Sequence, residues 1–435
     1  MDFPGPSSES QEIQGDNPED PLPPHHVIIN IPESNGSMVY IVREKMQGDV
    51  PVAVSLGPYH HRRDDLLELV EPFKDELRNM LCESPERITI LQREISERMN
   101  EFYTEPCGHS GEDLANMLLR DACFLICFMR GFGEDGVQTY IDMCEHMGTS
   151  AMLSVSSDTC MLANQIPLWL ISLIYPVQHQ SLLCEYLSYR VYGDYRMRQL
   201  PWAGEEPRHL LEALHRTFLR RVVETQPNPD NQPREITRSA WSQMDSLFRS
   251  VTDLKAKGIY LQPSSNCLTD ISFTSYGLFA KLRLPIFCVN EESKVLFSNL
   301  IVFEMSAGVQ TDYGVSSYIN FMKTLINNAN DVKVMRERGI LWSTLENDEE
   351  VLHIFKSIST YGFSSTGLDH FNEVKMRIDV YCNNKARIWM AELFNTYFQS
   401  PWSAIALFAA AFLLCLTILQ TYYTIHPSTQ PNNSI

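Results

Sequence analysis

The chain has 435 residues, 44% of them apolar, which supports a substantial buried core and excludes wholesale disorder. Twenty glycines and eleven cysteines are too few for a fibrous or a disulfide-scaffold protein. Asp and Glu outnumber Lys and Arg by 54 to 35, and the net charge of −19 repels phosphate backbones and argues against nucleic acid as a partner.

Residues 1–26 are rich in Pro and acidic side chains and lack Lys and Arg, so they read as a disordered arm before a folded part that starts near Val27. Residues 64–104 read as two helices. The second opens at Pro85 after Ser84, and Ile88, Leu91, Ile95, Met99 and Phe102 form one apolar stripe. The run 112–130 is apolar enough for a central buried helix. Residues 137–148 and 159–192 continue as helix, with breaks at Pro167 and Pro176. Loops are expected at 195–206 and 225–233, around a helix over 207–224; the Pro-rich stretch at 225–234 marks a sub-boundary within one 27–400 domain. From Glu235, Ile236 to Leu254 keep helical spacing until Gly258 stops the run.

The pattern then changes. Ile259–Gln262, Leu268–Thr274 and Leu278–Val289 read as strands of a small antiparallel insert spanning about 258–290. Helices return over Val295–Met305, Val315–Asn330, Asp331–Arg338, Glu349–Ser359 and Leu368–Phe398. The fold class expected is mainly α: a large helical domain, one small β insert and one C-terminal transmembrane helix.

That last helix has the strongest signal. After Glu392 there is no Asp, Glu, Lys or Arg, and Ala404–Cys415 is unbroken apolar sequence. Trp402–Tyr423, about 22 residues at 1.5 Å each, crosses a hydrocarbon core of ~30 Å. Trp402 at one end and Tyr422 and Tyr423 at the other suit the two headgroup zones. The expectation is a single-pass anchor in a lipid bilayer over 402–423, with a polar tail at 424–435. Met1–Pro24 has no apolar signal-peptide stretch, and Lys385 and Arg387 precede the span, so a tail-anchored layout with the bulk in the cytosol is expected.

Chemistry is harder to find. Gly131, Gly133 and Gly136 spell G-x-G-x-x-G, but Glu134 and Asp135 would oppose a pyrophosphate and the preceding sequence is helical. A helix-ending turn is expected instead. His60 and His61, Cys123 and Cys127, and Cys144 and His146 each fall short of a metal-ligand set. There is no G-x-S-x-G elbow and no P-loop lysine. Glu205–Glu206 and Glu349–Glu350 read as solvated helix starts, and Lys255, Lys257 and Gly258 as a helix end. Cys123, Cys127, Cys288 and Cys415 sit in apolar sequence and read as buried thiols. No catalytic, cofactor-binding or metal residue is assigned.

Several segments, in order, resemble those of a plant family catalogued as domain of unknown function 247. They are Val54–His61, Arg120–Phe124, Asn164–Pro167, Leu268–Phe273, Asn299–Glu304, Tyr318–Met322, and Pro401–Trp402 with Leu419–Tyr423. Within them Gly57, Pro58, His60, Asp121, Asn164, Gln165, Pro167, Asp270, Phe303 and Glu304 carry the match. Ala122 and Ala163 depart from the family's usual glycine and acidic residue. The resemblance implies a largely helical protein with one C-terminal span and brings no accepted enzymatic activity. Some grass members of the family are implicated in self-incompatibility, the recognition between pollen and stigma.

The function expected is therefore a non-enzymatic, membrane-anchored interaction module for a protein or peptide partner, with self-recognition as a sub-case. The alternative is an enzyme whose site lies at the Gly57–His61 loop, near Asp121 or the Asn164–Gln165 pair. Asn164 and Gln165 can equally hydrogen-bond a buried loop backbone, and a deep polar pocket around these groups distinguishes the two readings.

Overall fold

A computed structural model describes residues 28–33, 36–41, 50–61, 64–99, 110–133, 136–193, 197–202, 204–219, 250–264, 267–277, 279–306, 309, 311–361, 369–383 and 401–425. The expected arm at 1–26, the sub-boundary at 225–234, the helical run from Glu235 as far as 249, the helical run beyond 383 and most of the polar tail lie outside the described residues.

Ile28–Glu33 (β1) and Gly36–Ile41 (β2) form an antiparallel hairpin, where the sequence reading places no strand. The register pairs Glu33 with Gly36, which leaves a two-residue connection.

Eight helices follow among the described residues: α1 Asp64–Cys82, α2 Pro85–Arg98, α3 Gly111–Arg130, α4 Val137–Met147, α5 Thr149–Asp158, α6 Trp169–Ile174, α7 His179–Tyr192 and α8 Leu210–Phe218. The Ser84 hydroxyl caps α2 by accepting from Arg87 N at 3.2 Å, and Pro85 fills the first turn where its missing N–H has no partner to lose. The hub is α3. It packs against α1, α2, α4, α6 and α7, and every residue from Asp121 to Met129 is buried. Burying a Leu or Phe side chain stabilises by roughly 1.5–3 kcal/mol, so the apolar second half of this helix contributes strongly to the core.

Two helical assignments change here. Residues 149–158, unassigned from sequence, form α5, which Gly148 (φ +85°) separates from α4. Residues 159–168, expected as helix, are a turn-rich loop, because the side-chain amides of Asn164 and Gln165 take the carbonyls of Asp158, Thr159 and Met161 that a helix would use.

In the second half α9 is Val251–Ala256, ended by Gly258 (φ +78°) with Lys255 and Lys257 beside it, as the sequence suggests. β3 Ile259–Pro263, β4 Ser272–Tyr276 and β5 Phe279–Leu284 make one sheet in the order β3-β5-β4. The insert is thus present, but it is mixed rather than antiparallel: β4 pairs antiparallel with β5, while β3 runs parallel to it. The connection from β3 to β4 is too long for a hairpin and reverses the chain one strand away. The tight turn at Gly277 then folds β5 back into a gap of about two strand spacings, ~9–10 Å.

β6 Phe287–Val289 pairs in parallel with β7 Leu341–Ser343, a strand that the sequence reading misses. Between and after them lie α10 Ser293–Met305, α11 Gly314–Leu325, α12 Ala329–Glu337, α13 Asp348–Ser357 and α14 Asn372–Cys382. Glu349 and Glu350 occupy the first turn of α13 behind the Asn347 cap, as expected of helix-start carboxylates. One apolar core runs from Ala53 to Cys382 and joins the two halves.

The last helix, α15, spans Pro401–Ile425. Its Ile405–Ile425 stretch has a mean hydropathy of 2.1 and no part of it is buried, so it is long and apolar enough to cross a membrane. Thr417, Thr421 and Thr424 donate their hydroxyls to the carbonyls of Leu413, Thr417 and Gln420 at 2.7–2.8 Å. Each of these threonine hydroxyls is thereby satisfied within the helix, as a hydrocarbon surrounding requires. Cys415 is exposed on this helix, and Cys288 is exposed at the middle of β6; both depart from the buried reading, whereas Cys123 and Cys127 match it.

Candidate functional site

Segment 52–57 enters the core with no regular structure, so its backbone groups need partners from elsewhere. Three helix or loop side chains supply them. Asp158 at the end of α5 accepts from Val52 N at 3.0 Å, Ala53 N at 2.7 Å and Val54 N at 2.9 Å. Asn164 accepts from Leu56 N at 2.7 Å and returns its amide hydrogens to the carbonyls of Val54 and Asp158 at 3.0 Å each. Asp121 of α3 accepts from Gly57 N at 2.7 Å, where Gly57 holds φ +72°.

A lysine locks this clamp. Lys74 of α1 donates to Ser55 O at 2.6 Å, Glu71 Oε1 at 2.6 Å and Asp121 Oδ1 at 2.7 Å, and it is wholly buried. Burial pushes the Asp121 carboxyl above the usual carboxylate range, against the pull of the Lys74 ammonium. Burial likewise raises Asp158, against its three backbone N–H donors.

Gln165 completes the arrangement. Its amide donates to the carbonyls of Thr159 and Met161 at 2.8 Å each and accepts from Leu211 N at 3.0 Å. The structure therefore brings Gly57, Asp121, Asn164 and Gln165 into one buried network. All of them are spent on holding backbone, and none lines the two cavities described below. Asp158 and Lys74, which the sequence reading passed over, are equal members. Pro58 and His60 lie at the partly exposed end of the loop, where the His60 ring meets Tyr59 edge-on at 4.6 Å. Pro167 precedes Leu168, whose N–H donates to Arg208 O at 2.8 Å.

A second polar network sits between α8, α10 and α11. Glu304 accepts from Val315 N at 2.9 Å, Ser316 N at 2.8 Å, the Ser316 hydroxyl and His215 Nε2. Phe303 packs edge-on between His209 and His215, at 5.4 and 5.3 Å between ring centroids. Asp270 instead forms part of the turn into β4, its carbonyl accepting from the Ser264 hydroxyl at 2.8 Å.

His209 caps α8 through Nδ1, which accepts from Glu212 N at 3.2 Å. Burial holds this imidazole down at about 4. Burial raises Glu212, but His209 and Arg208 outweigh it and hold that carboxyl at about 2. The unfolded chain thus binds more protons at His209 than the folded one between ~6.5 and ~4. Stability is expected to fall over that window by up to ~3 kcal/mol, with Glu212 adding its own loss only below ~4.3. His209→Asn keeps a cap acceptor without a titrating ring, so urea midpoints measured from pH 7 to 4 should lose the upper slope and keep the lower one. An unchanged upper slope would assign the effect to another group.

The accessible space lies elsewhere, around the C-terminus of α3. A cavity of about 540 Å³ is lined by Arg130, Gly133, Gly136, Tyr175, Gln178 and Arg198, among others. A second of about 430 Å³, reaching Arg87 and Glu83, shares Arg130, Tyr175 and Gln178 with it, which makes one continuous groove. The Arg130 guanidinium sits 6.0 Å from the Tyr175 ring centroid. The glycine motif of the sequence reading forms part of this wall. It follows helix α3 rather than a strand, as expected for a helix-ending turn. A Cβ on Gly136 would lie 1.5 Å from the Arg130 carbonyl oxygen, so the turn closes only with glycine there. The forked donors of Arg130 suit a carboxylate, and Tyr175, Gln178 and Ser181 add hydrogen-bonding groups around it. Among the described residues no group of three or more His, Cys, Asp or Glu side chains is placed to hold a metal ion.

Comparison with known proteins agrees with the family resemblance. The chain is 23% identical to UPF0481 protein At3g47200 of Arabidopsis thaliana over 403 residues, covering 85% of this chain and 81% of the relative. It is 21% identical over 472 residues to putative UPF0481 protein At3g02645 of the same plant, covering 87% of each. No solved structure matches the chain. The match to the plant family of unknown function 247 runs over residues 40–416, through both buried networks and into the last helix, and the chain belongs to that family.

Proposed function

We propose that this protein is a single-pass, membrane-anchored binding module with no catalytic role, whose helical domain faces the cytosol and takes a protein or peptide partner in the Arg130 groove. The observation that carries the reading is the division of labour among polar side chains. The buried motif residues are consumed by backbone, whereas the open groove sets Arg87, Arg130 and Arg198 beside Tyr175, Gln178, Ser181 and the carboxylates Glu83 and Glu185, a mixed wall that suits the charged and hydrogen-bonding groups of a peptide. The anchor reading is supported by the length, hydropathy and internally satisfied threonines of α15. The orientation is supported by Lys385 and Arg387 on the N-terminal side of it.

The test uses the full chain in plant cells. Retention in membranes after an alkaline wash, digestion of the domain by protease added to intact vesicles, and an unglycosylated Asn35 are the expected results. A glycan on Asn35 with a protected domain would overturn the cytosolic orientation. Arg130→Glu reverses the charge at the centre of the groove, and the partners cross-linked to the wild-type chain should be lost from the variant. The same partners at the same yield on both would sink the groove assignment.

A further inference from the structure

The sheet β3-β5-β4 has one face on the core and one in solvent. Ile259, Leu261, Phe273, Ala280, Leu282 and Leu284 point inward and are buried. The strand registers place the remaining side chains together on the outer face: Tyr260 beside Lys281, Thr274 beside Lys281, Tyr276 beside Phe279, and Gln262 and Ser272 beside Arg283. This face carries three aromatic rings, 39–62% exposed, two cations and no carboxylate. That composition runs against a chain whose net charge is −19. Tyr260 and Phe279 are 5.9 Å apart, and Lys281 Nζ is 5.8 Å from the Tyr276 ring. Arg338 joins Tyr260, Gln262 and Lys281 around a shallow cavity at the edge of the sheet.

The sheet packs against α14, the last described helix before α15. Tyr381 of α14 packs edge-on against Phe273 at 5.7 Å, and Lys257, next to β3, donates to Cys382 O at 3.3 Å. From there residues 384–400 lead to α15, a tether of at most ~60 Å even when extended.

We propose that this outer face docks on the anionic headgroups of the bilayer that holds α15, an inference that rests on the anchor reading of that helix. Tyr side chains suit the headgroup zone because one end is apolar and the other is wet. Lys281, Arg283 and Arg338 each gain from a negative surface within a Debye length of ~8 Å. Two-dimensional confinement by the tether raises the effective concentration of the face at the membrane, so a patch of this modest size suffices.

The experiment is hydroxyl-radical labelling of the full chain in nanodiscs of phosphatidylcholine alone or with ~30% phosphatidylserine. Labelling of Tyr260, Tyr276 and Phe279 should fall about fivefold in the anionic discs, roughly what one basic side chain at the surface is worth. It should recover at ~0.5 M salt, where screening shortens the field to a few ångströms. Lys281→Glu with Arg283→Glu should abolish the difference; both positions are exposed, so the fold is preserved, and the salt arm needs no variant at all. Equal labelling in the two discs, or protection that survives salt and charge reversal, would overturn the docking while leaving the anchor intact. A chain that fails to stay with either disc would overturn the anchor reading and the docking with it.

Discussion

Replacing Lys74 by methionine is expected to destabilise the folded chain by ~3–5 kcal/mol, the cost of leaving a buried carboxylate without its cation. Lys74 is 2.7 Å from Asp121 Oδ1, with side-chain exposures of 1% and 2%, so solvent cannot take over the ammonium's role. The Ser55 carbonyl loses its 2.6 Å donor at the same time. The pH dependence gives a signature that simple loss of packing would not. Asp121 already titrates above the usual range because of burial, and Lys74 is the main influence that lowers it. Without Lys74 its folded pKa rises further above the unfolded value of ~3.9, and the native state then binds more protons than the unfolded one. The gap in stability between variant and wild type should therefore be widest near neutral pH and narrow as the pH falls toward ~4. Adding Asp121→Leu should recover part of the loss but not all, because Ser55 O and Gly57 N remain without partners. Urea midpoints for the single and double variants across pH decide it. A gap that is constant with pH would mean that Lys74 stabilises by packing its stem and not by its charge.

This clamp also shows where sequence reasoning stops. Asp121, Asn164, Gln165 and Gly57 stand out because they lie in segments that resemble the family's motifs. Their partners do not stand out. Lys74 lies on a helix full of charges, 47 residues from Asp121, and nothing local says that it faces inward. Asp158 lies more than 100 residues from the amides that it holds. Helix α3 was legible from its apolar content, since a run as apolar as Ala122–Met129 has to be buried. β7 was not, because three residues in a parallel pair carry no alternation and their partner strand is over 50 residues away. The parallel pairing of β3 was hidden for a similar reason: local sequence marks the hairpin turn at Gly277 but not the gap that the hairpin fills. The groove around Arg130 is assembled from several separate segments, and its one sequence mark was a glycine motif belonging to a different chemistry.

The other large effect is expected at Glu304, which acts as a cap supplied from a neighbouring helix. Helix α11 begins after Tyr313, a residue in the left-handed region (φ +55°) whose side chain makes no capping bond. The first-turn amides of Val315 and Ser316 would be orphaned in the core without an acceptor. Glu304 of α10 provides both carboxylate oxygens to them and places its negative charge at the positive end of the helix, where a carboxylate is favoured. It also ties α8 to the same point through His215. Glu304→Ala should leave two buried amides and an imidazole unsatisfied at ~1–3 kcal/mol each, a total on the order of 3–9 kcal/mol. Glu304→Gln keeps one acceptor oxygen but turns an amide donor toward other donors, so it should fall between alanine and wild type. Hydrogen exchange should find the loss concentrated in the first turn of α11, with β3–β5 protected as in the wild type except for the global change. If alanine costs under ~1 kcal/mol, Glu304 is not the cap. The family match at Phe303 and Glu304 would then need another explanation, and the His209–Phe303–His215 stack is the next feature to examine.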